Sequence, residues 1–512
     1  MNVAEMLYRN ARKYPDKEAI VFKELRLNYR EVDHLSNQFA NALINLGIKK
    51  GDKVAMMMRN SEKYAAVYFG ILKAGAVVVP INISLLKNEV QFIVNNCEAK
   101  AFVFDHVFWP VLNGIEKELP LVKDFICTAE VEGQNFRSYQ ELLDVSPIEA
   151  PPVTINEEDL CSIIYTSGTT GTPRGAVFKH KNVVATVVNT GALAHRMNSY
   201  TRNLAMMPLF HSAPLHLYFL GAVYVGGTNV LMEGFDPKGF LETIQNEKTT
   251  HFFGPAVVYL TCAKLLPIDK YDLSSMEMFV LGGSPISKED IFLILDAFKL
   301  RGKNKLQQVY GFTEAGPSGL GLYPEEIEVK TSSIGCAGNI GTETVIFAEN
   351  GEKAKIGEVG EIGVRSEGIM VEYYKDPEKT ANTIKNGWVM SGDLARYDED
   401  GYIYFVDRSK DMIITGGQNV YSKEVEDVIM QHPSVMMTAV IAVPHPEWGE
   451  SVKAVVSLKP NCSAAEEEII AFCQDRLAKF KVPRYVQIVE DIPHNPAGKI
   501  LKTEVRKLYG KS

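Results

Sequence analysis

Short apolar runs alternate with amphipathic stretches along most of this chain. Glu18–Phe22 and 53–58 read as strands, whereas 29–46 and Glu62–Lys73 place apolar side chains at helical spacing. Ala76-Val77-Val78-Val79-Pro80 is apolar throughout, as a strand covered on both faces should be. The alternation returns from 160 to 320, with strands predicted over 161–165, 203–207, 276–281 and 307–310. That pattern predicts a layered α/β architecture. Beyond 330 the pattern changes to short glycine-broken strands, 343–347, 360–365 and 402–406, which predict a small β-rich subdomain over about 330–406. A last unit, 410–512, mixes strands at 439–443 and 452–458 with helices at 423–431 and 464–477. It is large enough for its own core. The expected division is thus a large domain, 1–409, and a small α+β domain, 410–512. No low-complexity linker separates them, so the junction at 407–411 suits a hinge better than a tether.

Composition narrows the class. The 512 residues exceed one ordinary core, and 46% hydrophobic with 23% charged content is typical of a globular protein. No run approaches the roughly 18 apolar residues of a membrane helix, and no secretory or lipidation signal is evident. Seven dispersed cysteines without a CxxC pair point to reduced thiols and a cytoplasmic setting. A net charge of −9 argues against broad nucleic-acid binding. An anionic substrate would therefore need positive charge gathered at a few definite places.

Five segments carry candidate chemistry. An apolar strand runs into Thr166-Ser167-Gly168-Thr169-Thr170-Gly171-Thr172-Pro173-Arg174-Gly175, whose glycines, hydroxyls and arginine could wrap a polyphosphate. It lacks the Walker A spacing, and such clusters are also ordinary surface loops. Tyr310-Gly311-Phe312-Thr313-Glu314 sets a carboxylate beside a glycine turn, a group able to hold Mg²⁺ next to phosphate. Ser391-Gly392-Asp393 reads as an acid at a strand end, suited to ribose hydroxyls. Asp407-Arg408-Ser409-Lys410-Asp411 is charge-dense, and Gly498-Lys499 places one lysine on a turn.

In this order, and with Pro208-Leu209-Phe210-His211, Gly282-Gly283-Ser284-Pro285 and Gly416-Gly417-Gln418-Asn419-Val420, the segments resemble the adenylate-forming superfamily of acyl-CoA synthetases, luciferases and adenylation domains. The resemblance implies ATP, Mg²⁺ and coenzyme A as the small molecules used, with a carboxylic acid as the partner substrate. By that resemblance Thr166, Ser167, Gly168, Thr169 and Thr170 cradle the β- and γ-phosphates, Glu314 binds Mg²⁺ and Thr313 contacts the α-phosphate. Gly283, Tyr310 and Gly311 line the adenine slot, while Asp393 and Arg408 serve the ribose and phosphate region. Lys499 bridges the attacking carboxylate and the α-phosphate. Gly416, Gly417 and Gln418 line a thiol tunnel, and Lys410 is the hinge of a mobile C-terminal lid. One departure stands out: the family loop usually ends Pro-Lys-Gly, and here Arg174 replaces the lysine with a planar fork.

The acid is expected to be apolar and monocarboxylic, fatty or aromatic. Pocket candidates His211, Phe253, Gly311 and Gly316 offer no base for a second carboxylate, and 208–215 has no acid to pair a substrate ammonium. His211 reads as a gate or packing residue before a catalytic base. Lys479, Lys481 and Arg484 could meet coenzyme A phosphates or simply end a helix. An acyl-CoA ligase leads. A free-standing ligase that loads a carrier protein, an oxygen-using relative and a non-catalytic adenylate-binding protein remain, and the reading leaves room for a homodimer.

Overall fold

The computed structural model describes residues 1–129, 136–166, 173–284, 286–494 and 500–510. The chain divides into two compact units, Met1–Thr344 with Val364–Val389, and Val345–Gly363 with Met390–Ser512.

The first unit is built on two eight-stranded sheets. In one, Met278–Gly282 lies between Leu306–Gly311 and His251–Gly254, all parallel, and their carboxyl ends face one edge. Antiparallel strands close it on both sides, Gly319–Leu322 beyond Leu306–Gly311 and Leu25–Asn28 beyond Glu18–Phe22. In the other sheet Val77–Pro80 pairs in parallel with Lys53–Met57 and Leu160–Thr166. Val77 to Val79 are fully buried, as their unbroken apolar run predicts.

The largest apolar core joins both sheets to the helices Tyr29–Asn45 and Glu62–Lys73. Those helices meet where a Cβ on Gly70 would lie 2.8 Å from the Phe39 ring and 3.0 Å from the Ser36 carbonyl, so glycine permits the approach. The buried Lys73 ammonium at that seam donates to Asp33, Ser36 and Asn37 at 2.6–2.7 Å. A buried charge survives only with such a full set of partners.

In the second unit Val435–His445 and Gly449–Leu458 form a long antiparallel pair, extended in parallel by Tyr485–Val489. Helix Ser422–Ile429 covers it through Val425 and Ile429. The strands Thr342–Phe347, Gly360–Ser366, Trp388–Tyr397 and Ile403–Arg408 belong to a separate sheet.

Predicted strands and helices sit within a few residues of the observed ones, the usual uncertainty at element ends. Two findings depart from expectation. Asp393 lies inside the ten-residue strand Trp388–Tyr397 rather than at its end, because Gly392 turns at φ +74° and the strand continues. Val187–Ala194 and Ala213–Phe219 are π-helices, which hydrophobic periodicity alone did not foretell. Among the described residues no helix is long and apolar enough to cross a membrane.

Candidate functional site

Strands Leu160–Thr166 and Arg174–Lys179 form an antiparallel hairpin in which Thr166 faces Arg174. Gly175 is needed here, because a Cβ would lie 2.6 Å from Ile163. Ser167, Gly168, Thr169 and Thr170 lie outside the described residues, as does Lys499. The hairpin stem itself is placed, and so are its neighbours. Thr313–Ala315 forms one tight turn after Leu306–Gly311, and Gly316 leaves it at φ +72°. A Cβ on Gly316 would sit 2.0 Å from the Gly368 carbonyl, so that neighbouring backbone fixes the turn.

Glu314 is the centre of this corner. Its Oε1 accepts from the Tyr373 hydroxyl at 2.7 Å and, at a long 3.4 Å, from Thr166 Oγ1. Burial, then the Glu314 charge, pushes the Tyr373 phenol up, so it stays a donor. The Arg174 guanidinium Nε lies 3.4 Å from Asp376, whose other oxygen caps the helix Pro377–Thr383. One carboxylate among hydroxyls is a hard oxygen donor set and fits Mg²⁺ shared with phosphate oxygens. Tyr373 was not foreseen; it stands 59 residues from Glu314, and no local pattern marks it.

Gly283 and Tyr310 follow one another at the carboxyl ends of adjacent parallel strands, where Gly282 pairs with Val309. Gly283 takes φ +86° and has open space around it, as a slot for a flat ring requires. In open parallel sheets the carboxyl ends of strands are where ligands bind. Thr313 Oγ1 lies 3.0 Å from Ser212 Oγ, tying this turn to the segment after His211. The exposed His211 ring packs on Phe210 at 4.4 Å. Phe253 lies against Gly282, from which a Cβ would be 3.3 Å to its ring edge, and stacks on Tyr218 at 4.5 Å. Gly311 admits no side chain, since a Cβ would meet the Pro317 carbonyl at 2.2 Å.

In the second unit Asp393 and Arg408 are direct cross-strand partners, with Nε 3.2 Å from Oδ1. Asp393 is buried, while the Arg408 side chain is 42% exposed. Asp407 is turned to structure: it accepts from Ser422 Oγ at 3.1 Å and from its neighbour's N–H at 2.7 Å. Lys410 is exposed, and the adjacent Asp411 is held by Arg506 at 2.5 Å. Gly416 and Gly417, both at positive φ, turn a separate hairpin that continues into Gln418–Val420. A Cβ on Gly416 would strike Trp448 at 2.4 Å. The basic patch is thinner than expected. Lys481 spends its charge on Glu424 at 2.6 and 2.8 Å, and Arg484 lies over Trp448, leaving Lys479 exposed.

Comparison with known proteins decides the class. Residues 7–374 match the family model described as AMP-binding enzyme, and 424–499 match the AMP-binding enzyme C-terminal domain. The chain belongs to the AMP-binding enzymes. Its relatives include a feruloyl-CoA synthase from Amycolatopsis, 34% identical over 502 residues and 98% of each chain. They also include the long-chain-fatty-acid–CoA ligase FadD13 of Mycobacterium tuberculosis, 34% identical over 99% of this chain and 98% of that one. The anthranilate CoA ligase AuaEII, solved with anthranoyl-AMP, superposes with a TM-score of 0.90 at 28% identity, covering 100% of this chain and 97% of that one. This AMP-binding enzyme is an AMP-forming acid–thiol ligase of the acyl-CoA synthetase group, and ATP and coenzyme A are its co-substrates.

Proposed function

We propose that this ligase activates an apolar monocarboxylic acid, fatty or aromatic, in two steps. A carboxylate oxygen attacks the α-phosphorus of ATP and pyrophosphate leaves, giving the acyl-adenylate. The coenzyme A sulfur then attacks the acyl carbon and AMP leaves. Little covalent work falls to the protein; positioning and charge stabilisation do the rest.

The observation that carries the acid's class is the wall around the strand ends. A Cβ on Gly282, Gly311 or Gly316 would first meet Val309, Phe253, Pro317, Ser318, Gly368 or Thr186, none of them charged. A second carboxylate there would be desolvated without a partner, at a cost of several kcal/mol. His211 and Phe253 complete this acyl side.

On the phosphate side Thr166 to Thr170 cradle the β- and γ-phosphates, with Arg174 serving the departing pyrophosphate. Glu314 would hold Mg²⁺, which neutralises phosphate charge when bound, and Thr313 meets the α-phosphate. Gly283, Tyr310 and Gly311 take the adenine; Asp393 accepts from the ribose hydroxyls beside Arg408, whose Nε lies 3.2 Å from its Oδ1. Lys499 meets charge that builds between the two substrates. Backbone rotation at Lys410, between domains 1–409 and 410–512, exchanges this arrangement for one in which Gly416, Gly417 and Gln418 line the thiol path. Seven free thiols support a reducing, cytoplasmic setting.

The test is ATP–pyrophosphate exchange over octanoate, palmitate, benzoate, cinnamate, malonate and succinate, followed by coenzyme A and detection of the thioester. Exchange with monocarboxylic acids is expected to exceed that with dicarboxylic acids by about 100-fold or more. Selective activation of a dicarboxylic acid would overturn this reading of the acid.

A further inference from the structure

The segment 368–374 is tied by its backbone to both halves of the phosphate corner. On one side the Met370 N–H donates to the Glu314 carbonyl at 2.9 Å, and the Gly368 carbonyl lies where a Cβ on Gly316 would fall. On the other side the Val371 N–H donates to the Val177 carbonyl and the Tyr374 N–H to the Gly175 carbonyl, each at 2.8 Å. Glu372 and Tyr373 pair antiparallel with Val177 and Ala176. The turn that bears Glu314 follows a strand of one eight-stranded sheet, whereas Arg174–Lys179 belongs to the other. One short edge strand therefore bridges the two sheets and sets their spacing at this corner.

Tyr373 projects from that bridge. It is 6% exposed, and its hydroxyl donates to Glu314 Oε1 at 2.7 Å. Thr166 Oγ1 meets the same oxygen at 3.4 Å, too long to hold it firmly. Among the described residues no hydrogen bond reaches Glu314 Oε2. Packing accounts for the Tyr373 ring, which lies in the largest apolar core, but not for its hydroxyl. A phenylalanine would fill the same space.

A glutamate side chain turns about several bonds, and ordering it on binding costs affinity. Tyrosine has only two side-chain torsions, so once buried it makes a stiff strut. Its strand is fixed to both neighbours, so the position of its hydroxyl is set before any ligand arrives.

We propose that Tyr373 is the positioning residue of Glu314. It holds the carboxylate through Oε1 and leaves Oε2 to the Mg²⁺ that ATP brings. Groups that orient a metal-ligating side chain typically contribute about 10- to 100-fold to metal affinity. This rests on the reading of Glu314 as the metal's carboxylate under the proposed function, and it names what keeps that carboxylate in place.

The experiment titrates the full chain with α,β-methylene-ATP by calorimetry, once with saturating Mg²⁺ and once in EDTA. The ratio of the two affinities is the gain that the metal brings. Tyr373→Phe, which keeps the ring and is checked for a cooperative thermal transition, should cut that gain by about 10-fold or more. Its affinity in EDTA should stay within about threefold of wild type. Added to Glu314→Gln, the same substitution should change the gain by less than about threefold, because the hydroxyl acts through the carboxylate. A gain unchanged in Tyr373→Phe overturns the inference and leaves Glu314 as the metal's carboxylate. Equal losses with and without Mg²⁺ also overturn it, as does a further large loss in the double variant; either makes Tyr373 a structural part of the corner. If wild type shows no gain, or Glu314→Gln alone keeps it in full, the metal reading of Glu314 falls and the inference with it.

Discussion

Two groups of polar side chains in the first unit are built in opposite ways. Around Glu314 the groups are buried or half-buried and supply one another: Tyr373 and Thr166 donate to the carboxylate, and Arg174 lies on Asp376. Around Tyr218 and His195 the groups are fully enclosed, and His195 Nε2, Gln307 Nε2 and the Tyr218 hydroxyl are left unpaired. The first arrangement costs the fold little and places charge where a polyphosphate can reach it. The second costs stability, roughly 1–3 kcal/mol for each unpaired group. A protein that retains such groups has kept a chemical demand inside its core.

The largest expected effect sharpens the first half of that contrast. Glu314→Gln keeps the shape and an acceptor for Tyr373 but removes the charge. It should lower ATP–pyrophosphate exchange by about 100-fold or more, with the thermal midpoint unchanged, as loss of an electrostatic transition-state contact typically does. A fall of less than about threefold would separate Glu314 from the metal and return it to structure.

The next effect breaks the second half, and its sign follows from burial. His216 is 0% exposed, neither ring nitrogen has a partner, and burial pushes its pKa down to about 3. His180, His195 and His251 are held at about 4, again mainly by burial. Above about pH 6.5 these rings are neutral in both states and titration contributes nothing. Between pH 6.5 and the folded values the unfolded chain binds protons that the folded chain refuses. Stability therefore falls as pH falls, by about 1.4 kcal/mol per pH unit for each such histidine. Urea unfolding at pH 7.5, 6.0 and 5.0 should show that loss. His216→Leu, of similar volume, should raise stability at pH 7.5 by about 1–3 kcal/mol and flatten the slope by one proton. An unchanged slope would mean that His216 is not refused a proton.

This contrast also explains how much the sequence disclosed. The strand run at Ala76–Pro80 was legible because complete burial writes an unbroken apolar pattern. Glu314, Asp393 and Arg408 stood out as candidates because short motifs carry them, but the hairpin and the Asp393–Arg408 pairing did not. The partners were not legible either. Tyr373 reaches Glu314 from 59 residues away and Ser212 reaches Thr313 from 101, so only the tertiary fold makes those contacts. Nor were the π-helices, since their wider turn leaves an apolar segment looking like any buried helix. Asp393 read as an acid at a strand end, whereas Gly392 bends the strand without ending it.

The smallest effect concerns Arg174, which stands at the edge of the corner beside Asp376. It begins its strand opposite Thr166, and its side chain is only 19% exposed. An arginine keeps its charge under burial and presents a flat fork, whereas a lysine presents one compact, strongly hydrated charge. The Nε contact to Asp376 holds the stem of that fork against the helix Pro377–Thr383. If the rest of the fork serves pyrophosphate, Arg174→Ala should raise the KM for ATP several-fold with a smaller change in kcat, because the contact is made in the ground state as well as the transition state. Arg174→Lys should recover part of that loss, since charge returns without the bidentate geometry. A KM for ATP unchanged in Arg174→Ala would remove this residue from the corner's chemistry. Its work would then be to pin one hairpin strand to the Asp376 cap.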